Sequence, residues 1–342
     1  MLKKAILIVT VLTTLLSSET FRVANYNVEN LFDLKYDGTE YKEYIPFSSS
    51  KWNRDIQQKK LINISKIIKG VNPDIIALQE IESEDALKSL IRQLRLNGLK
   101  FKYYTIALQK KKRSSVTTAL LSKFPIKKSQ EIAVSKHPRY RDILEVKLDI
   151  KGEPLFIYVN HWKAKSGGES HRIKSAKALK KRLDSLSANT PYILTGDFNS
   201  DYNEFKTFRK NRKLNDTKGQ TGINHTLNTL KKGNKFVTLK DLKNSKDGTY
   251  LYNLWLELPK KKRWSHKFRG KGGTLDNMII SKGLVDGKGV EYIEKSFGVY
   301  RKGGVVDQKG RIQRWKMSSG KRKAHKGYGF SDHLPIYADF KR

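Results

Sequence analysis

Polar residues of a few reactive types stand where apolar, alternating runs stop. They are Asn27 and Glu29 in NYNVEN, Glu80 in ALQE, His161 in YVNHWKAK, Asp197 and Asn199 in LTGDFNS, Asp276 in TLDNMI, and Asp332 with His333 in FSDHLPI. One acid at a strand end is ordinary. Several such ends carry more weight, because strand ends on one rim of a layered sheet protein converge and would gather carboxylates, amides and two imidazoles into one cleft. Clustered carboxylates repel each other and lose hydration unless a cation joins them. Oxygen donors in a chain without cysteine favour a hard ion, Mg2+ or Mn2+, over zinc. Such an ion, with imidazoles and an acid to activate water, suits hydrolysis of phosphate esters, where charge develops on the phosphorus oxygens.

The elements that must position these residues alternate between strand-like and helix-like segments, the pattern of an α/β domain. TFRVANYNV (20–28) reads as a strand. RDIQQKKLINISKIIKGVNPD follows with Ile56, Leu61, Ile64, Ile67 and Ile68 at helical spacing and a stop at Gly70 and Pro73. DIIALQE (74–80) is a short buried strand, DALKSLIRQLRLNG a second helix, and VTTALLSKFPI, DILEVKLDI and PLFIYVNHW are successive strands. RIKSAKALKKRLDSL is a third helix; PYILTGDFN and GTLDNMIIS are further strands. In FSDHLPIYADF, Leu334, Ile336, Ala338 and Phe340 share one face of a period-two pattern, so Asp332 and His333 stand at a strand entrance. With no internal repeat and no long low-complexity linker, residues 20–342 read as one domain.

The chain of 342 residues carries 70 Lys and Arg against 33 Asp and Glu, a formal net charge of +37. That excess implies a polyanionic partner, nucleic acid or an anionic membrane surface. Two stretches concentrate it, 258–273 (LPKKKRWSHKFRGKGG) and 300–328 (YRKGGVVDQKGRIQRWKMSSGKRKAHKGY). Trp264, Phe268, Trp315 and Tyr328 are interleaved there, so the two loops are expected to grip a nucleic-acid strand through phosphate contacts and base stacking, with Trp264 and Arg269 as substrate-binding residues. The N-terminus has Lys3 and Lys4 before an apolar run from Ala5 to Leu16, then Ser17 and Ser18, and reads as a signal peptide over 1–19. A secreted or periplasmic protein is expected, a monomer with no stable membrane insertion after signal removal; an uncleaved anchor is the alternative. Disulfides, cysteine zinc sites and a lipid-anchored cysteine are excluded together.

The ordered set NYNVENLFD, DIIALQEIE, VNHWKAK, LTGDFNSD, TLDNMIIS and SDHLPI closely resembles the endonuclease/exonuclease/phosphatase superfamily, which includes deoxyribonuclease I, apurinic endonucleases, sphingomyelinases and inositol polyphosphate phosphatases. The resemblance covers essentially the whole chain after the leader. It implies a four-layer α/β sandwich of two packed mixed sheets. It also implies metal ligation by Glu80, with Asn27 beside it, Asp332 at the same or a second metal position, and Glu29 near the metal. Asp197 matches the residue that orients and deprotonates the attacking water, and Asn199 one that holds that water or the phosphate. His333 matches the imidazole that contacts the scissile phosphate, with Asp276 fixing its tautomer. His161 matches a second imidazole, a phosphate ligand or general acid, although the sequence offers no acid to orient it. Arg141 falls where the deoxyribonuclease-like branch has a phosphate-contacting arginine. His137, His171, His225, His266 and His325 match no family motif and read as surface residues. Without the disulfides of the animal enzymes, the chain reads as a bacterial-type secreted nuclease; calcium is left open beside Mg2+ or Mn2+.

Four functions compete. A sequence-nonspecific nuclease acting on DNA, with RNA as a further substrate, accounts for the leader, the charge and the Lys/Arg/Trp loops together. A sphingomyelinase-like phospholipase would share the catalytic residues but is expected to expose apolar loops to a bilayer, and these loops are polar and basic. An inositol polyphosphate phosphatase needs only a local basic patch. A non-catalytic DNA-binding or uptake protein has no physical reason to retain mutually repelling acids.

Overall fold

Two strand–helix–strand units set the frame of the protein, seen in a computed structural model that describes residues 19–108, 114–137, 140–320 and 323–342. The apolar run of the expected signal peptide lies outside these residues. In the first unit, β1 (Thr20–Leu31) runs into α1 (Arg54–Val71) and then β2 (Ile75–Ile81), which pairs parallel with β1. The Asn53 side chain caps the start of α1 by accepting from the Ile56 N–H, and Asn72 closes it in the left-handed conformation at φ 51°. The helix α2 (Glu84–Leu96) follows, capped by Ser83, and then β3 (Tyr103–Ile106), β4 (Thr117–Ser122), β5 (Ile126–Ile132) and β6 (Ile143–Ile150). The second unit is β7 (Glu153–His161), α3 (Glu169–Leu183) and β8 (Tyr192–Asp197), again with its strands parallel.

Beyond β8 the chain adds a two-stranded ribbon, β9 (Leu230–Lys231) with β10 (Lys235–Phe236), then β11 (Tyr252–Asn253). A hairpin of β12 (His266–Phe268) and β13 (Lys271–Gly273) precedes β14 (Asp276–Ile280), and β15 (Glu291–Tyr292), β16 (Gly298–Val299) and β17 (Ile336–Lys341) complete the fold. One seven-stranded sheet has the order β15-β17-β1-β2-β4-β3, with β16 also on β17; the other has six strands in the order β11-β14-β8-β7-β6-β5. Each sheet contains one parallel pair among antiparallel neighbours, so both are mixed.

Period-two alternation sorts the side chains into layers. Val23, Ile75, Ala77 and Leu120 face Val146, Leu148, Ile157, Val159, Ile193 and Met278 between the sheets. From the same strands, Ala24, Tyr26, Ile76, Leu78 and Leu121 face outward onto α1 and α2 through Leu61, Ile64, Ile68, Leu87, Leu90 and Leu94. The second sheet sends Tyr158, Tyr192, Leu194 and Ile279 outward onto Ala176, Leu179 and Leu183 of α3. Helices, sheet, sheet and helix make the four layers that the resemblance implies.

The structure departs from the sequence reading in three places that matter. VTTALLSKFPI is two strands, not one: β4 and β5 lie in different sheets, and the chain crosses at Lys123–Pro125, where the Ser122 hydroxyl bonds both the carbonyl and the N–H of Phe124. Leu334 does not share a face with Ile336, Ala338 and Phe340; it precedes the strand, across Pro335, and packs with the outer core. His325, expected at the surface, and Trp315, expected among the aromatics that grip a nucleic-acid strand, are buried at 3% exposure each, in a cluster with Phe32, Tyr44, Trp52 and Ile56. The Trp315 Nε1–H donates to His325 Nδ1 at 2.8 Å, and His325 Nε2 lies 2.8 Å from the Glu43 carbonyl, which satisfies both rings inside the core.

Gly196, one residue before Asp197, lies beside Asn160 in the parallel β7–β8 pair at φ 136°, and a Cβ there would sit 2.0 Å from the Asn160 carbonyl oxygen. No other residue type fits the strand at this point. Gly196→Ala is expected to destabilise the fold by about 3 kcal/mol, read as a lowered urea midpoint at unchanged slope; an unchanged midpoint would refute this packing.

Candidate active site

The carboxyl ends of both parallel pairs open onto one cleft, the usual place for a ligand in sheets of this kind. From the first sheet come Asn27 on β1 and Glu80 on β2; from the second, His161 on β7 and Asp197 on β8. The Asn27 amide nitrogen donates to Glu80 Oε1 at 3.1 Å and to Asp197 Oδ2 at 3.2 Å. His161 Nε2 lies 3.8 Å from Glu80 Oε1 and 3.9 Å from Asp197 Oδ2, and His333 Nε2 is 3.8 Å from the same Asp197 oxygen. The Asn199 N–H donates to Asp197 Oδ1 at 2.8 Å, which turns Oδ2 toward the imidazoles.

Local backbone distortion aims these groups. The β1–β2 register slips between Asn27 and Leu31, and the β2–β4 register slips between Gln79 and Ile81. Glu29, Asn30, Glu80 and Asn199 all have positive φ, at 53°, 64°, 66° and 46°. Strained positions of this sort gather at functional sites, and a bulge re-aims a side chain that a regular pleat would send elsewhere.

On the far wall, His333 Nδ1 lies 2.8 Å from Asp276 Oδ2, which also accepts from the Ser265 hydroxyl at 2.6 Å. Asp276 sits opposite Asp197 in the antiparallel β14–β8 pair, so the sheet register places both. Burial alone would push the His333 imidazole down, but the charges of Asp276 and Asp197 outweigh it and hold the ring well above the ordinary histidine value. His161 is the opposite case: burial, with Arg141 and His333 nearby, holds it well below that value, hence neutral. Its Nδ1 is buried without a hydrogen-bond partner, in keeping with the absence of an orienting acid in the sequence. Burial pushes Asp197 up to about 7 and raises Glu80, to which the Asp332 charge adds. Buried acids raised in this way are what a bound cation would return to the ionised state, and the carboxylate oxygens of Glu80 and Asp332 suit a hard ion.

Two expected ligands are placed otherwise. The Asn27 Oδ1 accepts from the Glu29 N–H at 3.0 Å, so the side chain presents its NH2, not its oxygen, to the acids. Glu29 is fully engaged: Arg314 Nε and Nη2 both donate to its Oε1, and the Trp315 N–H donates to Oε2. Arg314 Nη2 also lies 3.3 Å from Asp332 Oδ2, while Asp332 Oδ1 faces His333 Nε2 at 3.9 Å.

Of the expected substrate-binding residues, Arg141 lies near enough for its charge to act on Glu80 and His161, while its Nε donates to the Ser114 hydroxyl at 3.2 Å. Trp264 is half-buried against the outer core, with Lys267 and Arg301 over its ring at 4.2 and 4.4 Å, so its faces are already covered. Arg269 stands at the tip of the β12–β13 hairpin at φ 47°, away from the acids and beside the exposed Phe268. The two basic loops form one wall: Arg301 donates to the Lys262 and Trp264 carbonyls, and Lys267 to that of Gly310.

Three residues escaped the sequence reading. His266, expected at the surface, bridges His333 in the backbone, stacks near its ring at 4.8 Å, and gathers with Asp332 and His333 within 4.8 Å. Ser265 steadies Asp276, and Arg314 pairs two acids. The adjacent Ser265 and His266, eleven and ten residues before Asp276, were the available signal, visible only if the hairpin is known to fold back on SDH.

A family model described as Endonuclease/Exonuclease/phosphatase family matches residues 22–241 and 228–342. The chain belongs to this family. In structure it is similar to D. rerio TDP2 complexed with single-strand DNA product (TM-score 0.54, 11% identity, covering 94% of this chain and 98% of that one). It is also similar to TDP2 from Caenorhabditis elegans (0.54, 17%, 95% and 75%) and to a mannosyl-6-phosphatase from Bacteroides thetaiotaomicron (0.53, 14%, 94% and 99%). At these identities the likeness is one of fold. No curated protein matches the chain by sequence.

The site joins a raised imidazole, a neutral imidazole, and acids of raised proton affinity within one cleft of an endonuclease/exonuclease/phosphatase fold. In metal-free protein, the His333 ring is expected by NMR to stay protonated through neutral pH, and Asp276→Asn to bring its titration down toward the ordinary value of about 6.5. The stability this pair contributes is then complete below about pH 6.5 and lost as pH rises through the higher folded value. A wild-type ring that titrates near 6.5 would contradict the pairing.

Proposed function

We propose that this family member is a divalent-metal-dependent nuclease that hydrolyses DNA phosphodiester bonds with little sequence preference and accepts RNA as a second substrate. The observation that carries the proposal is the convergence of Glu80, Asp197, His161 and His333 in one cleft, beside two interlocked basic loops. The formal charge of +37 extends the same attraction to a long polyanion, beyond what a small phosphomonoester requires. Secretion, or residence in a periplasm, is part of the proposal and rests on the N-terminal sequence. No helix among the described residues is long and apolar enough to cross a membrane.

Glu80, with Asp332 alongside, would hold Mg2+ or Mn2+, and the ion would stabilise charge on the phosphorus oxygens. Asp197 receives the proton of the attacking water; burial sets its proton affinity near neutrality, where a general base works best, and the Asn199 N–H fixes its orientation. His333, locked by Asp276 and Ser265, directs Nε2 at a phosphate oxygen. His161 is neutral and without an orienting acid, so it serves as a hydrogen-bond donor to the phosphate and not as the acid for the leaving group. Arg141 adds a permanent positive charge.

The test is supercoiled plasmid incubated with the mature protein and Mg2+, Mn2+ or Ca2+, with and without EDTA, beside RNA, mannose 6-phosphate and sphingomyelin. Nicking that needs the metal is expected. Intact plasmid with hydrolysis of the monoester or the lipid would reassign the substrate. Asp197→Ala and His333→Ala are each expected to lose about 10²–10⁴ of turnover while DNA binding persists, the scale of general acid–base assistance; unchanged turnover in both would remove these residues from the chemistry. Raising salt from 50 to 200 mM is expected to weaken DNA binding by about 10³-fold, as counterion release at six or more phosphates requires. A flat response would point to a small substrate.

A further inference from the structure

The guanidinium of Arg314 lies between two acids of the cleft, Glu29 and Asp332. Its Nε and Nη2 donate to Glu29 Oε1, and Nη2 lies 3.3 Å from Asp332 Oδ2, so one permanent cation bridges two acids of the cleft. Glu29 is only 7% exposed and is held further by the Trp315 N–H on Oε2. Lys60, fully buried in the adjoining core, donates to the Glu29 and Phe330 carbonyls and lies 4.9 Å from the centre of the Trp315 ring.

The loop that carries Arg314 has little freedom to withdraw it. The Phe330 N–H donates to the Gln313 carbonyl at 2.8 Å, and the Arg314 carbonyl lies against Gly329 so closely that a Cβ there would be 2.1 Å away. The segment just before Asp332 and the segment around Arg314 are thus laced together.

We propose that Arg314 is the resident second cation of the centre, so that the site takes one divalent ion and not two. The inference rests on the reading of the site as metal-dependent. A second ion on Glu29 and Asp332 would have to displace a guanidinium that is covalently present at the site and already paired with both. The ion that remains is the one on the Glu80 side of Asp332.

Mn2+ titration of the full, metal-stripped chain tests this, with bound ions counted by electron paramagnetic resonance and nicking of plasmid followed in the same samples. One ion per wild-type chain is expected, and one for Arg314→Lys, which keeps the charge. Arg314→Ala is expected to bind two, the second lost again when Glu29→Gln is added. Two ions on the wild type would overturn the inference; their reduction to one in His266→Ala would place the extra ion on His266, Asp332 and His333. A single ion on a natively folded Arg314→Ala would overturn it as well, and if that variant does not fold, the wild-type count decides. No bound ion together with metal-independent nicking would instead sink the metal-dependent reading on which the inference stands.

Discussion

The Asn27 side chain donates to an acid of each sheet, Glu80 beside it and Asp197 across the seam, and this bridge is the contact on which the cleft depends. Asn27 can do so because its oxygen is already taken by the Glu29 N–H, which fixes the amide's orientation. That bond in turn needs the left-handed turn at Glu29 and Asn30, where β1 leaves its regular pleat. A local kink in one strand thereby sets the distance between acids from two different sheets. The large apolar layer between the sheets makes this distance rigid, since cores packed at crystal-like density do not yield by small steps.

Everything else in the cleft is arranged around those two acids. The parallel pairs β1–β2 and β7–β8 deliver Asn27, Glu80, His161 and Asp197 from their carboxyl ends, while the antiparallel strands β14 and β17 begin at the same rim and deliver Asp276, Asp332 and His333. Charges alternate in sign across the site. The His333 imidazole lies between Asp276 and Asp197, Arg314 between Glu29 and Asp332, and Arg141 acts on Glu80. Acids crowded this closely are tolerated in the fold because each has a cation or a donor at hand.

Much of this was legible in the chain itself. Alternation in TFRVANYNV and the short apolar runs of DIIALQE and PLFIYVNHW give the strands, and the polar residues at their ends give Asn27, Glu80 and His161. The order of GDFN, TLDN and SDH gives Asp197, Asp276 and His333. What escaped has a common cause. Arg314 and His266 lie in long loops of irregular backbone, where no period shows which way a side chain points, and both are placed by contacts with residues far off in sequence: Glu29 at 285 residues' distance and the His333 bridge. The same holds for Trp315, read as a loop aromatic for gripping nucleic acid, and for His325, read as a surface residue because it matches no family motif; their burial comes from Phe32, Tyr44 and Trp52 at the other end of the chain. Asn27 and Glu29 were found by type and position, but the role of each turns on one hydrogen bond that spacing does not encode.

On the proposed function, one phosphate of a nucleic-acid strand is held between the two sheets, at the seam that Asn27 closes. A crystal structure of the protein with Mn2+ and a short phosphorothioate oligodeoxynucleotide tests it most directly. One manganese anomalous peak is expected at the Glu80 carboxylate and the phosphorothioate between His161, His333 and Arg141, with the strand leaving along the basic wall. An oligonucleotide bound elsewhere on the basic surface, with the seam between Glu80 and Asp197 free of both metal and phosphate, would contradict it.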